Sequence, residues 1–124
     1  MVNRFELDYF MATRSETFQF EKQLNWENPS PGIKRQIMAY DGQLMMVKVV
    51  FETGAVAATH SHYHSQATYV VSGRFQLKIG DRTEILGPGD GYYVAPDEIH
   101  GCACLEEGIL IDTFSPVRAD FLGL

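Results

Sequence analysis

From Ile33 to the C-terminus the chain is a succession of short apolar runs separated by turn signals at regular spacing. These runs read as β-strands over 33–40, 44–51, 56–60, 67–71, 75–79, 83–86, 91–94, 99–104 and 109–114. The breaks are rich in residues that the chain uses to turn: Asp41-Gly42, Thr53-Gly54, Ser72-Gly73, Gly80-Asp81, Gly87-Pro88-Gly89, Pro96-Asp97 and Glu106-Glu107-Gly108. Gly80-Asp81, between FQLKI and RTEIL, has the form of a two-residue hairpin turn with glycine first. Many short strands at even spacing predict an all-β fold, a sandwich or barrel closed around an apolar interior. The run LMMVKVVF over 44–51 is apolar on both faces, which predicts that both are covered, the second by a partner subunit. Met45-Met46 reads as plastic core filling.

The pattern is different before about Phe18. Residues 7–14 fit one or two helical turns, and NWENPSPG over 25–32 reads as a turn-rich connector with two prolines. The expected division is an N-terminal arm over 1–25, packed on the barrel or on a second subunit, and a barrel domain over 26–124.

Composition narrows the function. At 124 residues there is room for one domain with one core. A net charge of −6, with Lys34-Arg35 the only adjacent basic pair, argues against nucleic acid, whose phosphates need clustered lysine and arginine. No stretch approaches the roughly 20 apolar residues of a membrane span, and the acids in MVNRFELDYFMATRSE break up any secretory leader. A cytoplasmic protein is expected. Cys102 and Cys104, two apart on an extended strand, are about as far separated as a disulfide tolerates, so both are expected as reduced thiols.

The candidate chemistry lies in GAVAATHSHYHSQATYVVSG over 54–73. Side chains alternate across a strand, so the imidazoles of His60 and His62 stand on one face, about 6.6 Å apart along it, as two ligands of one metal would. Gln66 offers an amide oxygen at the start of the next strand, or is only a hydrogen-bonding polar residue. The one histidine outside this stretch, His100, follows the turn Leu86-Gly87-Pro88-Gly89-Asp90-Gly91. His64 is expected in the bend after H-x-H, at the mouth of the site rather than on the metal.

These spacings resemble the two motifs of the cupin superfamily. Gly54, His60, His62 and Gly73 meet G-x5-H-x-H-x3,4-E-x6-G in register, with Gln66 where the motif has Glu. Gly89 and His100 match G-x5-P-x-G-x2-H-x3-N, while Ala95, Asp97 and Cys104 replace its Pro, second Gly and Asn, which bears on the turn geometry. The resemblance implies a single-domain cupin, a double-stranded β-helix or jelly-roll barrel. It also implies a divalent ion, Ni, Zn, Fe or Mn, on His60, His62, Gln66 and His100. With glutamine in place of glutamate all four donors are neutral, so the ion keeps its full charge. That favours hydrolytic, isomerising or ring-opening chemistry over oxygen activation.

In ILIDTF over 109–114 an acid interrupts an apolar strand, where an ionised carboxylate is costly unless paired. Alternation places Leu110, Asp112 and Phe114 on one face, which makes Asp112 a candidate general acid/base, or a strand-end acid bonded to backbone or to Arg118. Arg118 is a candidate holder of a substrate carboxylate, or an ordinary surface arginine. Tyr69, Phe75, Tyr92 and Tyr93 are expected mostly in the core. Beyond the superfamily, GIKRQIMAY, LMMVKVVFETGA, HSHYHSQATYVVSG and HGCACLEEGILIDTFSPVRADFL resemble the small KdgF-type cupins of pectin and alginate breakdown, from about Trp26 onward. That family opens 4,5-unsaturated monouronates into linear keto-uronates, which implies a small sugar acid as partner, Asp112 as acid/base and Arg118 on the carboxylate; the doubly apolar run over 44–51 leads to the expectation of a homodimer. A cupin dioxygenase and a non-catalytic small-molecule-binding cupin are the rival readings.

Overall fold

The computed structural model describes residues 13–124. Eight strands run through them: β1 (Glu27–Ser30), β2 (Ile33–Tyr40), β3 (Met45–Phe51), β4 (Val56–His60), β5 (Ser65–Ile79), β6 (Arg82–Leu86), β7 (Gly91–Val94) and β8 (His100–Ser115). Every pairing is antiparallel. Two layers share the long strands β5 and β8. One layer runs β1-β2-β3, then the second half of β8, the first half of β5, and β7. The other runs β4, the first half of β8, the second half of β5, and β6. This is the jelly-roll barrel.

Two expected turns are therefore not turns. Ser72-Gly73 and Glu106-Glu107-Gly108 were read as breaks because they gather glycine and polar residues, yet they lie inside β5 and β8 and face each other across the ladder. The register slips between Val70 and Phe75, which bends both strands from one layer into the other. The glycines permit it: a Cβ on Gly73, at φ +84°, would meet Glu106 O at 2.6 Å, and one on Gly108 would overlap Ser72 O. A second correction concerns 25–32, expected as a connector, which contains β1 ahead of the Pro31-Gly32 turn.

The core follows the strand alternation. On β3, Met45, Val47, Val49 and Phe51 point inward, and Phe51 meets Phe75 of the other layer edge to face at 5.1 Å between centroids. The outer face of β3 is not sealed: Met46 is 37% exposed, so the pattern that looked apolar on both faces is one buried face and one partly open. Tyr69 and Tyr93 also lie outside, more than half exposed, while Phe75 is core. Cys102 and Cys104 are buried and unbridged.

The helical turns expected over 7–14 fall outside the described residues except for Thr13 and Arg14, which are not helical. Residues that follow them pack on the barrel. Ser15 exchanges bonds with Tyr40, its N–H donating to Tyr40 O at 2.9 Å and its hydroxyl accepting from Tyr40 N–H at 3.0 Å. A short 3₁₀ turn, Glu21–Gln23, lies over β2 and β3, where the fully buried Gln36 amide donates to Glu21 O and Leu24 O, both at 3.3 Å. Glu21 also pairs with Lys48 at 3.2 Å.

Candidate active site

His60 closes β4 and His100 opens β8, and the two are direct cross-strand partners. His62 lies just past the end of β4 and reaches the same point from the loop. The ring centroids of His60 and His62 stand 4.3 and 4.9 Å from that of His100, and one nitrogen from each of the three falls within 4.8 Å of the others. Exposure grades across the set from exposed His60 to buried His100, so the cluster is open on one side.

The ring tautomers are set from behind. Nδ1 of His60 faces Ala58 O at 2.8 Å, Nδ1 of His62 faces His64 O at 3.1 Å, and Nδ1 of His100 faces Glu98 O at 2.9 Å. A carbonyl only accepts, so each Nδ1 carries the proton and each Nε2 presents a bare lone pair. Nε2 of His100 is buried with no partner among the described residues. Nε2 of His62 meets Gln66 Oε1 at 3.0 Å. Whichever ring nitrogen of a neutral His62 holds the proton, one of its two contacts sets acceptor against acceptor. Only the imidazolium would satisfy both, and burial lowers the pKa of His62, as it does that of His100. A cation that takes both lone pairs relieves the conflict, so these residues fit a metal ion.

The turn before His100 contains a left-handed residue at the altered position. Asp97, standing where the motif has glycine, adopts φ +66°, a left-handed conformation that aspartate tolerates. Its N–H donates to His62 O at 2.7 Å and so ties the two histidine segments together.

Gln66 also connects the histidines to Asp112. Its amide donates to Thr68 Oγ1 at 3.0 Å and, more weakly, to Asp112 Oδ1 at 3.4 Å, which fixes the oxygen toward His62. The Thr68 hydroxyl donates to Asp112 Oδ1 at 2.7 Å, from directly opposite on the β5–β8 ladder. Burial pushes Asp112 up to about 6, against the opposing Thr68 hydrogen bond and the positive charge of Arg118. A carboxyl so placed exchanges a proton readily near neutral pH. Thr68 was not singled out in the sequence, although it lies two positions from Gln66 on the same face of one strand.

His60, His100, Gln66 and Asp112 line one cavity of about 280 Å³. Arg118 lines it, its side chain only 12% exposed, and its Nε and Nη2 pair with Asp120 at 3.0 and 2.9 Å. The guanidinium lies over Phe121 and Phe114, 4.1 and 5.0 Å from their ring centres. Cys102 sits on the cavity floor, where burial pushes its thiol up to about 12, so it is no nucleophile. His64 is buried outside the histidine cluster, its Nε2–H donating to Val117 O at 3.2 Å just before Arg118. Among the described residues no helix is long and apolar enough to cross a membrane.

Known proteins resemble this chain in sequence and fold. The cupin domain family matches residues 47–112. Over 99 residues the chain is 48% identical to the pectin degradation protein KdgF of Dickeya dadantii (strain 3937), covering 78% of this chain and 90% of that protein. An RmlC-like cupin from Shewanella frigidimarina NCIMB 400 superposes with a TM-score of 0.85 at 43% identity, over 88% of this chain and 98% of the other. The structure of KdgF from Halomonas sp. gives 0.81 at 37%, over 86% and 99%.

Proposed function

The chain belongs to the cupin family, within it to the KdgF group, and from that premise we propose that it opens the ring of 4,5-unsaturated monouronates released in pectin or alginate breakdown. One observation carries the reading: Gln66 spans the two halves of the site, its oxygen facing the histidine cluster and its amide facing Asp112. Charge and proton transfer are thereby brought to one substrate.

In this reading His60, His62, His100 and Gln66 hold a divalent ion, which when bound supplies positive charge to a substrate oxygen. Asp112 takes the proton from the C1 hydroxyl. As the new C1 carbonyl forms, the bond from C1 to the ring oxygen breaks and its electron pair stays on that oxygen, leaving an enolate at C5. Asp112 returns the proton to give the enol, which ketonises by protonation at C4. Thr68 and Gln66 keep Asp112 aimed, and Arg118 offers Nη1 to the substrate carboxylate. The homodimer and the cytoplasmic setting expected from the sequence are part of the same proposal. The test is incubation of metal-loaded protein with lyase-generated unsaturated monouronates. Absorbance of the C4=C5 enol ether should fall well above its spontaneous rate, and an unaccelerated decay would overturn the reading.

A further inference from the structure

The cavity holds a second guanidinium. Arg35 stands opposite Val49 in the β2–β3 register, so its side chain shares the inward face with that core valine, and it lines the same cavity as His60, Asp112 and Arg118. In the sequence it stood out only as half of the one adjacent basic pair, with Lys34. Its guanidinium carbon lies 3.8 Å from the centre of the Phe121 ring, against 4.1 Å for that of Arg118. Both side chains line one cavity, so an anion bound there lies in the field of both cations. They also repel each other, and an anion placed against both relieves that repulsion.

The two arginines differ in which donors remain free. Arg118 commits one whole edge, Nε and Nη2, to Asp120. Arg35 gives only Nε to Glu27, at 2.8 Å, and neither of its terminal nitrogens has a hydrogen-bond partner among the described residues. Two parallel N–H donors match the two oxygens of a carboxylate, and Arg35 keeps such a pair on Nη1 and Nη2 with neither nitrogen engaged elsewhere among the described residues, whereas Nη2 of Arg118 is already shared with Asp120. We propose that Arg35 is the principal receptor for the substrate's carboxylate, gripping it through Nη1 and Nη2 while Arg118, whose Nη2 is shared with Asp120, adds a further contact. The substrate class is therefore a sugar acid held at its carboxylate from the β2 side of the cavity. The identity of that acid as an unsaturated uronate rests on the ring-opening reading.

Steady-state kinetics of metal-loaded Arg35→Gln and Arg35→Lys test this, using the unsaturated monouronate and its C6 methyl ester. Arg35→Gln should raise KM for the acid about 10- to 100-fold, the worth of a charged hydrogen-bonded contact, while kcat moves by less than about threefold and KM for the ester hardly changes. Arg35→Lys, which keeps the charge and loses the fork, should fall between. An equal loss on acid and ester would mark Arg35 as a structural residue, and an unchanged KM for the acid would likewise overturn the proposal. Calorimetric titration with D-galacturonate, a saturated uronate that cannot react, separates the two readings. If wild type binds it but does not turn over the unsaturated sugar, the ring-opening reading falls, and the affinity of Arg35→Gln alone judges the receptor. Loss of affinity upholds the assignment; unchanged affinity, or a wild type that does not bind, ends it.

Discussion

His62 carries the sharpest residue-level contradiction, a lone pair aimed at an amide oxygen 3.0 Å away with no proton to share. It is resolved if His60, His62 and His100 bind metal together. Each of the three changed to alanine should therefore strip the ion, while His64→Ala, whose ring is engaged with Val117, should retain it. Metal analysis of the four purified variants checks this, and full occupancy in His100→Ala would remove that residue from the set. Asp112→Asn keeps an acceptor for Thr68 and should leave metal content and folding intact, while turnover drops by about two to four orders of magnitude, the range for losing a general acid/base. Near-normal turnover would make the acid structural. The histidines and Asp112 were legible because spacing and an acid in an apolar strand are anomalies within the chain itself. Arg35 and Thr68 were not. A basic residue beside another basic residue, or a threonine in a strand, is ordinary until the register shows which way it points.

Among the elements, β5 and β8 were each read as two strands. The residues that suggested turns, glycine flanked by serine or glutamate, are those that let one strand change layers, and composition alone does not separate a bend from a reversal. Gly108→Ala would drive a methyl group into Ser72 O, where backbone lies on the other side and cannot yield. It should cost on the order of 3–5 kcal/mol, among the larger effects of single substitutions, read as a lower midpoint in chemical denaturation. Gly54→Ala, at φ +87° but with open space around it, should cost less. If the two variants unfold at the same midpoint, the close approach of β5 and β8 is not what constrains the crossing. The hairpin at Gly80-Asp81, by contrast, was readable in full: Gly80 has φ +58° and Ile79 pairs with Arg82, as a two-residue turn with glycine first requires.

At the scale of the whole molecule, the proposed ligand set of three imidazoles and an amide brings no anionic donor to the ion. Polarising an oxygen needs charge but no change of oxidation state, so turnover should persist under strict anaerobiosis, with Zn or Ni serving as well as Fe. Rates of metal-exchanged protein with and without oxygen decide this. A reaction that stops without oxygen and runs only with a redox-active metal would move the protein to oxygenase chemistry.

The two strands that bridge the layers have one more consequence. Gln66 and Thr68 stand on β5, His100 and Asp112 on β8, and these strands pair along most of their lengths. These four residues therefore do not loosen unless the ladder joining both layers opens with them. A bound ion then acts as a brace on global unfolding, contributing RT ln(1 + [ion]/Kd) to it rather than ordering one loop. Amide hydrogens of β5 and β8 should be the last to exchange with solvent. Local breathing is left to the short segments at the edge, among them the Ala119–Leu122 turn that carries Phe121. On the proposed reading, opening of that turn would give the sugar access to the cavity that Phe121 lines while the paired strands stay closed.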